Sequence, residues 1–278
     1  MLNQEVASLF AAEHITHAAV LPFEALRVTQ ARLYERAGLV PKSAVIFLIP
    51  YFSGEGENLS SYAVAEDYHF YAERLYERLC GALKERFPEA SFLGFADHSP
   101  IDERDAATRA GLGIWGKNRL LISPDFGTYQ FIGEILSDLS PEVLGTPRLH
   151  APTLCIGCGA CLSACPTGIL RGESTECLSA ITQKKGALSE DEMALMRRTG
   201  TAWGCDECQR VCPYTREAVH TGTAISPIPF FHENRITRLT TAQVSAMDED
   251  AFRRRAFAWR GREVVLRNTA VLEEEKEK

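Results

Sequence analysis

Two cysteine runs, CIGCGACLSACP at 155–166 and CDECQRVCP at 205–213, carry the plainest chemistry in this 278-residue chain. A CxxCxxCxxxCP spacing wraps three thiolates around one iron–sulfur cluster and sends the fourth to a neighbouring cluster. One such run therefore implies a second centre. Cys155, Cys158, Cys161, Cys165, Cys177, Cys205, Cys208 and Cys212 supply eight thiolates, the number that two 4Fe-4S clusters require, and leave only Cys80 over. The crossing rule then assigns Cys155, Cys158, Cys161 and Cys212 to one cluster, because Cys212 precedes Pro213 as Cys165 precedes Pro166. Cys165, Cys177, Cys205 and Cys208 fall to the other. CxxC pairs also suit tetrahedral zinc, but the tight three-cysteine wrap followed by CP is an iron–sulfur habit.

Clusters alone make an electron carrier, so a reaction centre must be sought elsewhere, and ADHSPIDERDAATRAGLGIWGKNRLLI at 96–122 is the segment that offers one. Asp97 falls at the carboxyl end of an expected strand, the edge where open α/β sheets place their ligands. GLGIWGKN adds exposed backbone amides, a lysine and an amide side chain. An aspartate before HSP could equally be a helix cap, and Gly111 a helix stop.

The elements that must position these groups are legible in outline. Helices are expected at 3–13 and 29–37, with strands at 17–21, 44–51 and 91–97. Ala65, Tyr68, Ala72, Leu75, Leu79, Leu83 and Phe87 recur at helical spacing and predict a long helix ended by Pro88, with Cys80 in its core-facing part. A helix from Pro100 to Gly111 precedes two strands at 119–122 and 128–136, whose short link predicts antiparallel pairing with each other. Strands alternating with helices define an α/β sheet domain over 1–145. A ferredoxin-like double-cluster domain spans 146–225, with a helical insertion at 187–199, and a helical segment occupies 226–278, ending in a solvated EEEKEK tail.

With 45% hydrophobic residues the chain can bury a sizeable core, and its net charge of −7 argues against a broadly basic nucleic-acid surface. Arg253, Arg254, Arg255, Arg260, Arg262 and Arg267 form a local basic strip, read as a solvated helix face. No charged-then-apolar leader and no membrane-length apolar run is present, and nine cysteines suit a reducing, cytoplasmic setting.

Taken together, the DYH stretch at 67–69, the Asp97–Pro100–Glu103–Arg104 block, GLGIWGKN, GTYQFIGEI at 127–135, both cysteine runs and CLSAITQKKG at 177–186 resemble the epoxyqueuosine reductases. The likeness covers roughly 60–220, as in a truncated or divergent member. It implies a cobalamin bound between sheet and cluster domain, Asp97 as proton donor over the cobalt face, and Lys117, Asn118, Ser179 and Gln183 as further cofactor contacts. It also implies an external low-potential electron donor and a two-electron reduction of an epoxide to an alkene, with tRNA or a queuosine-like nucleoside as substrate and no membrane. Phe95, Ile101 and Trp115 are the expected apolar wall that keeps Asp97 protonated. Two other readings are a cobalamin reductase of another small molecule, as in reductive dehalogenases, and a non-catalytic two-cluster electron-transfer module. Family members carry a longer amino-terminal part and further carboxyl-terminal helical repeats that help hold tRNA, which makes tRNA affinity the expected point of departure.

Overall fold

The computed structural model describes residues 1–274. The tail at 275–278 lies outside them. All eight residues of β2 (Ser43–Pro50) are buried, as befits a strand covered on both faces. Its side chains alternate: Val45, Phe47 and Ile49 enter one core, while Ala44, Ile46 and Leu48 enter the other. Beside it lie β1 (Ala18–Pro22) and β6 (Gln130–Ser137), with β3 (Phe92–Ala96) beyond β6, giving the order β1-β2-β6-β3 with every pair antiparallel.

This topology corrects two expectations. The strands near 119–122 and 128–136 do not pair with each other: β5 (Leu121–Ile122) instead pairs with β4 (Ile114–Trp115) as a separate ribbon. β6 carries apolar side chains to both cores, Ile135 to one and Leu136 to the other, so it gains more between β2 and β3 than beside a two-residue strand. The link closes as a turn bridging Ser123 to Gly127, and the Gln130 side chain donates to the Leu121 carbonyl at 3.0 Å. Because the sheet is antiparallel, the edge rule for parallel sheets is not what places Asp97. Its position follows from β3 ending at Ala96, opposite Gly133 of β6.

The helices before the cysteine runs are α1 (Gln4–Ala12), the short α2 (Arg32–Glu35), α3 (Tyr68–Arg86), α4 (Glu103–Arg109) and α5 (Pro141–Leu144). α3 starts later than the periodicity suggests, because Asp67 accepts a hydrogen bond from the His69 amide and caps it there. Leu75, Leu79 and Leu83 press this helix against the Phe47 side of the sheet, and α4 covers the opposite side through Ala106 and Ala107.

Short helices dominate the cysteine-rich part: α6 (Ala160–Ala164), α7 (Leu178–Thr182), α8 (Glu190–Thr199), α9 (Glu207–Arg210) and α10 (Pro213–Thr221). Then follow α11 (Thr241–Ala246), α12 (Glu249–Arg253) and α13 (Arg262–Glu273). Polar stitches hold these parts together. Buried Asp206 accepts from the Ser60 hydroxyl and, at 2.6 Å, from the Ser61 amide. Asn268 of α13, fully buried, donates to the carbonyls of Thr182 at 2.6 Å and Ala202 at 2.8 Å.

The arginine strip is largely consumed by the fold rather than solvated. Arg254 pairs with Glu66, and buried Arg255 donates to Asn234 and Val64 carbonyls at 2.6 and 2.7 Å. Arg262 donates to the Val244 carbonyl at 2.5 Å, and Arg267 to that of Lys184 at 2.9 Å. These groups close the ends of loops and helices that lack other donors.

Candidate active site and cluster centres

Asp97 follows β3 in a left-handed conformation, with φ at +61°. Such a conformation is uncommon for any residue with a Cβ, though aspartate tolerates it better than most. It breaks the strand's alternation, so Asp97 does not follow Phe95 toward the second core. Its amide donates to Glu103 Oε1 at 3.1 Å, which ties the turn to the first residue of α4. Its carboxylate oxygen Oδ2 stands 3.6 Å from His69 Nε2, an electrostatic contact longer than a hydrogen bond. His69 Nδ1 in turn lies 2.7 Å from Asp67 Oδ1. Asp67, His69 and Asp97 therefore form a line of polar groups at the head of α3.

These three line a cavity of about 550 Å³ together with Tyr62, Tyr68, Phe131, Gln183, Ala256 and Trp259. The walls come from the sheet, from the start of α3, from the cluster segment and from the turn before α13. Tyr68 stacks on Phe131 with ring centres 3.8 Å apart, and Trp259 stands 59% exposed at the mouth with Arg260 over its ring. The wall expected from Phe95, Ile101 and Trp115 is thus replaced by Tyr62, Tyr68, Phe131 and Trp259. Phe95 and Ile101 belong to the α4-side core, and Trp115 packs under Arg104.

Desolvation by these walls, and next the negative charge of Asp67, push the Asp97 carboxyl above the usual carboxylate range. Its side chain remains 57% exposed toward the open mouth, so a ligand filling the cavity would push it further. Burial, then the Asp97 charge, lifts Glu103 to about 7. Glu134, fully buried on β6, is pushed far up, chiefly by burial. Ser99 Oγ lies 2.9 Å from the Ile101 carbonyl and also bonds Glu134 Oε1. Three carboxyl groups with elevated pKa thus lie in and behind this turn.

Of the cofactor contacts expected from the resemblance, Gln183 lines the Asp97 cavity and donates to Ser179 Oγ at 3.1 Å. Lys117 and Asn118 do not. Both line a separate cleft formed by Cys155, Cys158, Cys161 and Cys212, the four thiols that the crossing rule groups. Gly157 and Gly159, with φ of +71° and +80°, let the loop curl tightly enough to aim these thiols inward. Asn118 is buried, its Nδ2 has no partner in the protein, and it borders this cleft, which suits a donor to the sulfur of a cluster. Among the described residues no three His, Cys, Asp or Glu side chains converge closely enough for a single metal ion. Around this cleft the thiols surround a space instead, as a cube with one thiolate per iron demands.

In the second set, Cys205 is raised to about 12 and Cys208 beyond, first by burial and then by neighbouring thiols, with Cys177 acting on both. Cys165 sits beside them in sequence logic but in a different field: burial raises it, while amides of Leu170, Thr167 and Gly168 outweigh that and lower it. This set stands nearer the Asp97 cavity. Cys177 caps α7, whose far end carries Gln183, and Trp203, two residues before Cys205, donates to Tyr62 at 2.9 Å. Cys158 of the first set is exposed, and Cys80 is a half-buried thiol on α3 raised to about 11 by burial. Sequence reasoning named neither Asp67, His69, Tyr62 nor Trp259 as site residues; the DYH stretch was the available signal for two of them.

An antiparallel sheet with an acid-lined cavity, joined to a paired-cluster segment, defines a class of iron–sulfur protein. Residues 154–215 match the family model of the 4Fe-4S double cluster binding domain. The chain is 33% identical over 211 residues to the epoxyqueuosine reductase of Listeria monocytogenes, covering 74% of this chain and 54% of that protein. A solved epoxyqueuosine reductase bound to an epoxyqueuosine-modified stem loop of tyrosine tRNA superposes with a TM-score of 0.75 at 21% identity, over 97% of this chain and 80% of that one. Another, from Bacillus subtilis, described with its catalytic aspartate loop swung out of the active site, gives 0.74 at 20% identity over 97% and 81%. Over the region it shares with these relatives the chain is similar in sequence to the epoxyqueuosine reductases and has the fold of their solved structures. It spans about half the length of the curated relatives it matches. No helix among the described residues is long and apolar enough to cross a membrane.

Proposed function

We propose that this chain is a reductase that converts an epoxide to an alkene, acting on epoxyqueuosine in tRNA or as a related nucleoside, with cobalamin seated beside Asp97. One observation carries the reading: a carboxyl group held above its normal pKa opens into the same cavity as Gln183 of the cluster segment. The residues present fit such a group. Aromatic faces of Tyr68, Phe131 and Trp259 suit a flat macrocycle, while Tyr62 and Gln183 offer polar contacts to its amide-bearing rim.

When bound, the corrin cobalt supplies electrons at the substrate carbon. Asp97 delivers the proton that the departing oxygen needs, and it does so best as a neutral acid. His69, held by Asp67 at 2.7 Å, stands 3.6 Å from that carboxyl and lines the same cavity. Tyr62, kept neutral by a pKa of about 12, donates a hydrogen bond rather than a charge. The two cysteine sets hold the clusters that pass electrons inward from an external low-potential donor. Such chemistry belongs in the cytoplasm, where the nine cysteines, none of them in a disulfide, stay reduced.

Support for the substrate comes from the curated relatives and from the solved relative bound to a modified stem loop. The test is Asp97→Asn in anaerobically reconstituted protein, assayed on epoxyqueuosine both free and within tRNA. Turnover is expected to fall at least about 100-fold with clusters and cobalamin retained. Unchanged turnover would remove Asp97 from the mechanism, and no turnover by the wild-type protein on either substrate would overturn the assignment.

A further inference from the structure

The first cysteine set lines a cleft that shares no residue with the Asp97 cavity, and its Cys158 is exposed. Leu154 is 73% exposed and Ile156 is 68% exposed, on either side of Cys155 and next to exposed Cys158. Leu154, left in water beside a redox centre, with Ile156 at the edge of the cluster cleft, marks the apolar middle of a contact. The charge around them is one-sided. The segments 111–124 and 143–172, which supply the cleft wall and the cysteine loop, contain no Asp or Glu, although the whole chain carries −7. They do contain Lys117 and Arg119, both exposed. Lys117 lies over the cysteine loop, its Nζ 3.6 Å from where a Cβ on Gly157 would stand.

We propose that this face is the landing site of a small acidic electron-carrier protein, which delivers one electron per encounter to the outer cluster. The inference rests on the two-cluster reading and names the partner of that centre. Each encounter oxidises the carrier by one electron and reduces the outer cluster by one; two encounters supply the pair that an epoxide reduction consumes. Lysine and arginine around an aliphatic centre match an acidic rim on the partner, and opposite fields steer the encounter. A small, transient contact of this kind suits a carrier that must leave after each transfer. An RNA would be better served by stacked aromatic rings, which Leu154 and Ile156 do not provide.

The test is stopped-flow mixing, under anaerobic conditions, of the reconstituted two-cluster protein with flavodoxin hydroquinone, following loss of the visible cluster absorbance. The double variant Leu154→Asp, Arg119→Glu is expected to lower the second-order rate roughly tenfold or more, and wild-type rates are expected to fall as salt rises. Reduction by dithionite, which needs no docking, is expected to be unchanged in the variant and shows that its clusters are intact. Arg119→Lys is expected to keep the wild-type rate. Equal flavodoxin rates in wild type and double variant would overturn the proposal, as would a wild-type rate indifferent to salt. Competition by a stem-loop RNA for the same residues would replace the partner. Because the readout is cluster colour, it stands or falls independently of turnover on epoxyqueuosine.

Discussion

At Asp97 a single positive φ aims one carboxyl away from the sheet, and burial, then the charge of Asp67, raises its proton affinity. Glu103 has the most testable signature. Its pKa of about 7 in the fold lies above the 4.5 of an ordinary glutamate. The native state therefore binds its proton more tightly than the unfolded chain does. Its contribution to stability is complete below 4.5 and is lost as pH rises through 7. Glu103→Gln is expected to remove this loss, making the variant more stable than wild type at about pH 8 by up to about 3 kcal/mol, and less favoured at about pH 5. Urea unfolding at both values measures it. An identical pH slope in both proteins would show that Glu103 titrates normally. The cysteines make a second residue-scale prediction. Wild-type protein is expected to hold about eight irons per chain, Cys212→Ser to lose about half of them, and Cys80→Ser to lose none. Iron and sulfide analysis after anaerobic purification decides it.

At the scale of elements, β3 and α3 meet so closely that only glycine fits between them. A Cβ at Gly94 would stand 2.1 Å from the Tyr76 ring, and Tyr76 is held in place by its hydroxyl bond to the Phe95 carbonyl. Gly94→Ala is expected to destabilise the protein by about 1–3 kcal/mol, since ring and strand must separate. Gly81, within the same helix, faces open space. Gly81→Ala is expected to stabilise by about 0.5–1 kcal/mol through helix propensity alone. Thermal unfolding of the pair separates packing from propensity, and shifts of the same sign would refute this account of the contact. The α3 periodicity was legible because a long amphipathic helix repeats its signal. The pairing of β5 was not, because a two-residue strand carries no alternation to read.

For the whole molecule, α13 acts as a clasp on the cluster segment. Asn268 bonds two carbonyls on opposite sides of α8, both within the stretch between Cys177 and Cys205 of the second cysteine set. Asn268→Ala leaves both carbonyls unpaired in a buried site and is expected to cost about 2–3 kcal/mol, with faster loss of cluster colour on mild warming. Unaltered cluster retention would confine Asn268 to a local role. The Asp97 cavity depends on the same assembly, since Gln183 and Trp259 reach it from segments separated in sequence by most of the cluster region.

Short-range spacing was enough to group the first set of thiols and to identify the double-cluster segment, because Cys155, Cys158 and Cys161 lie within a turn or two of chain and their intervals are set by the size of a cubane, whereas only Cys205 and Cys208 of the second set are near neighbours in sequence. The buried strands and the long helix were readable for a similar reason: each repeats a local period. The walls of the acid's cavity, the diversion of Lys117 and Asn118 to the cluster cleft, and the inward use of the arginines were decided only in three dimensions. Those outcomes depend on which distant surfaces meet once an antiparallel sheet, rather than a parallel one, has closed. No local interval records them.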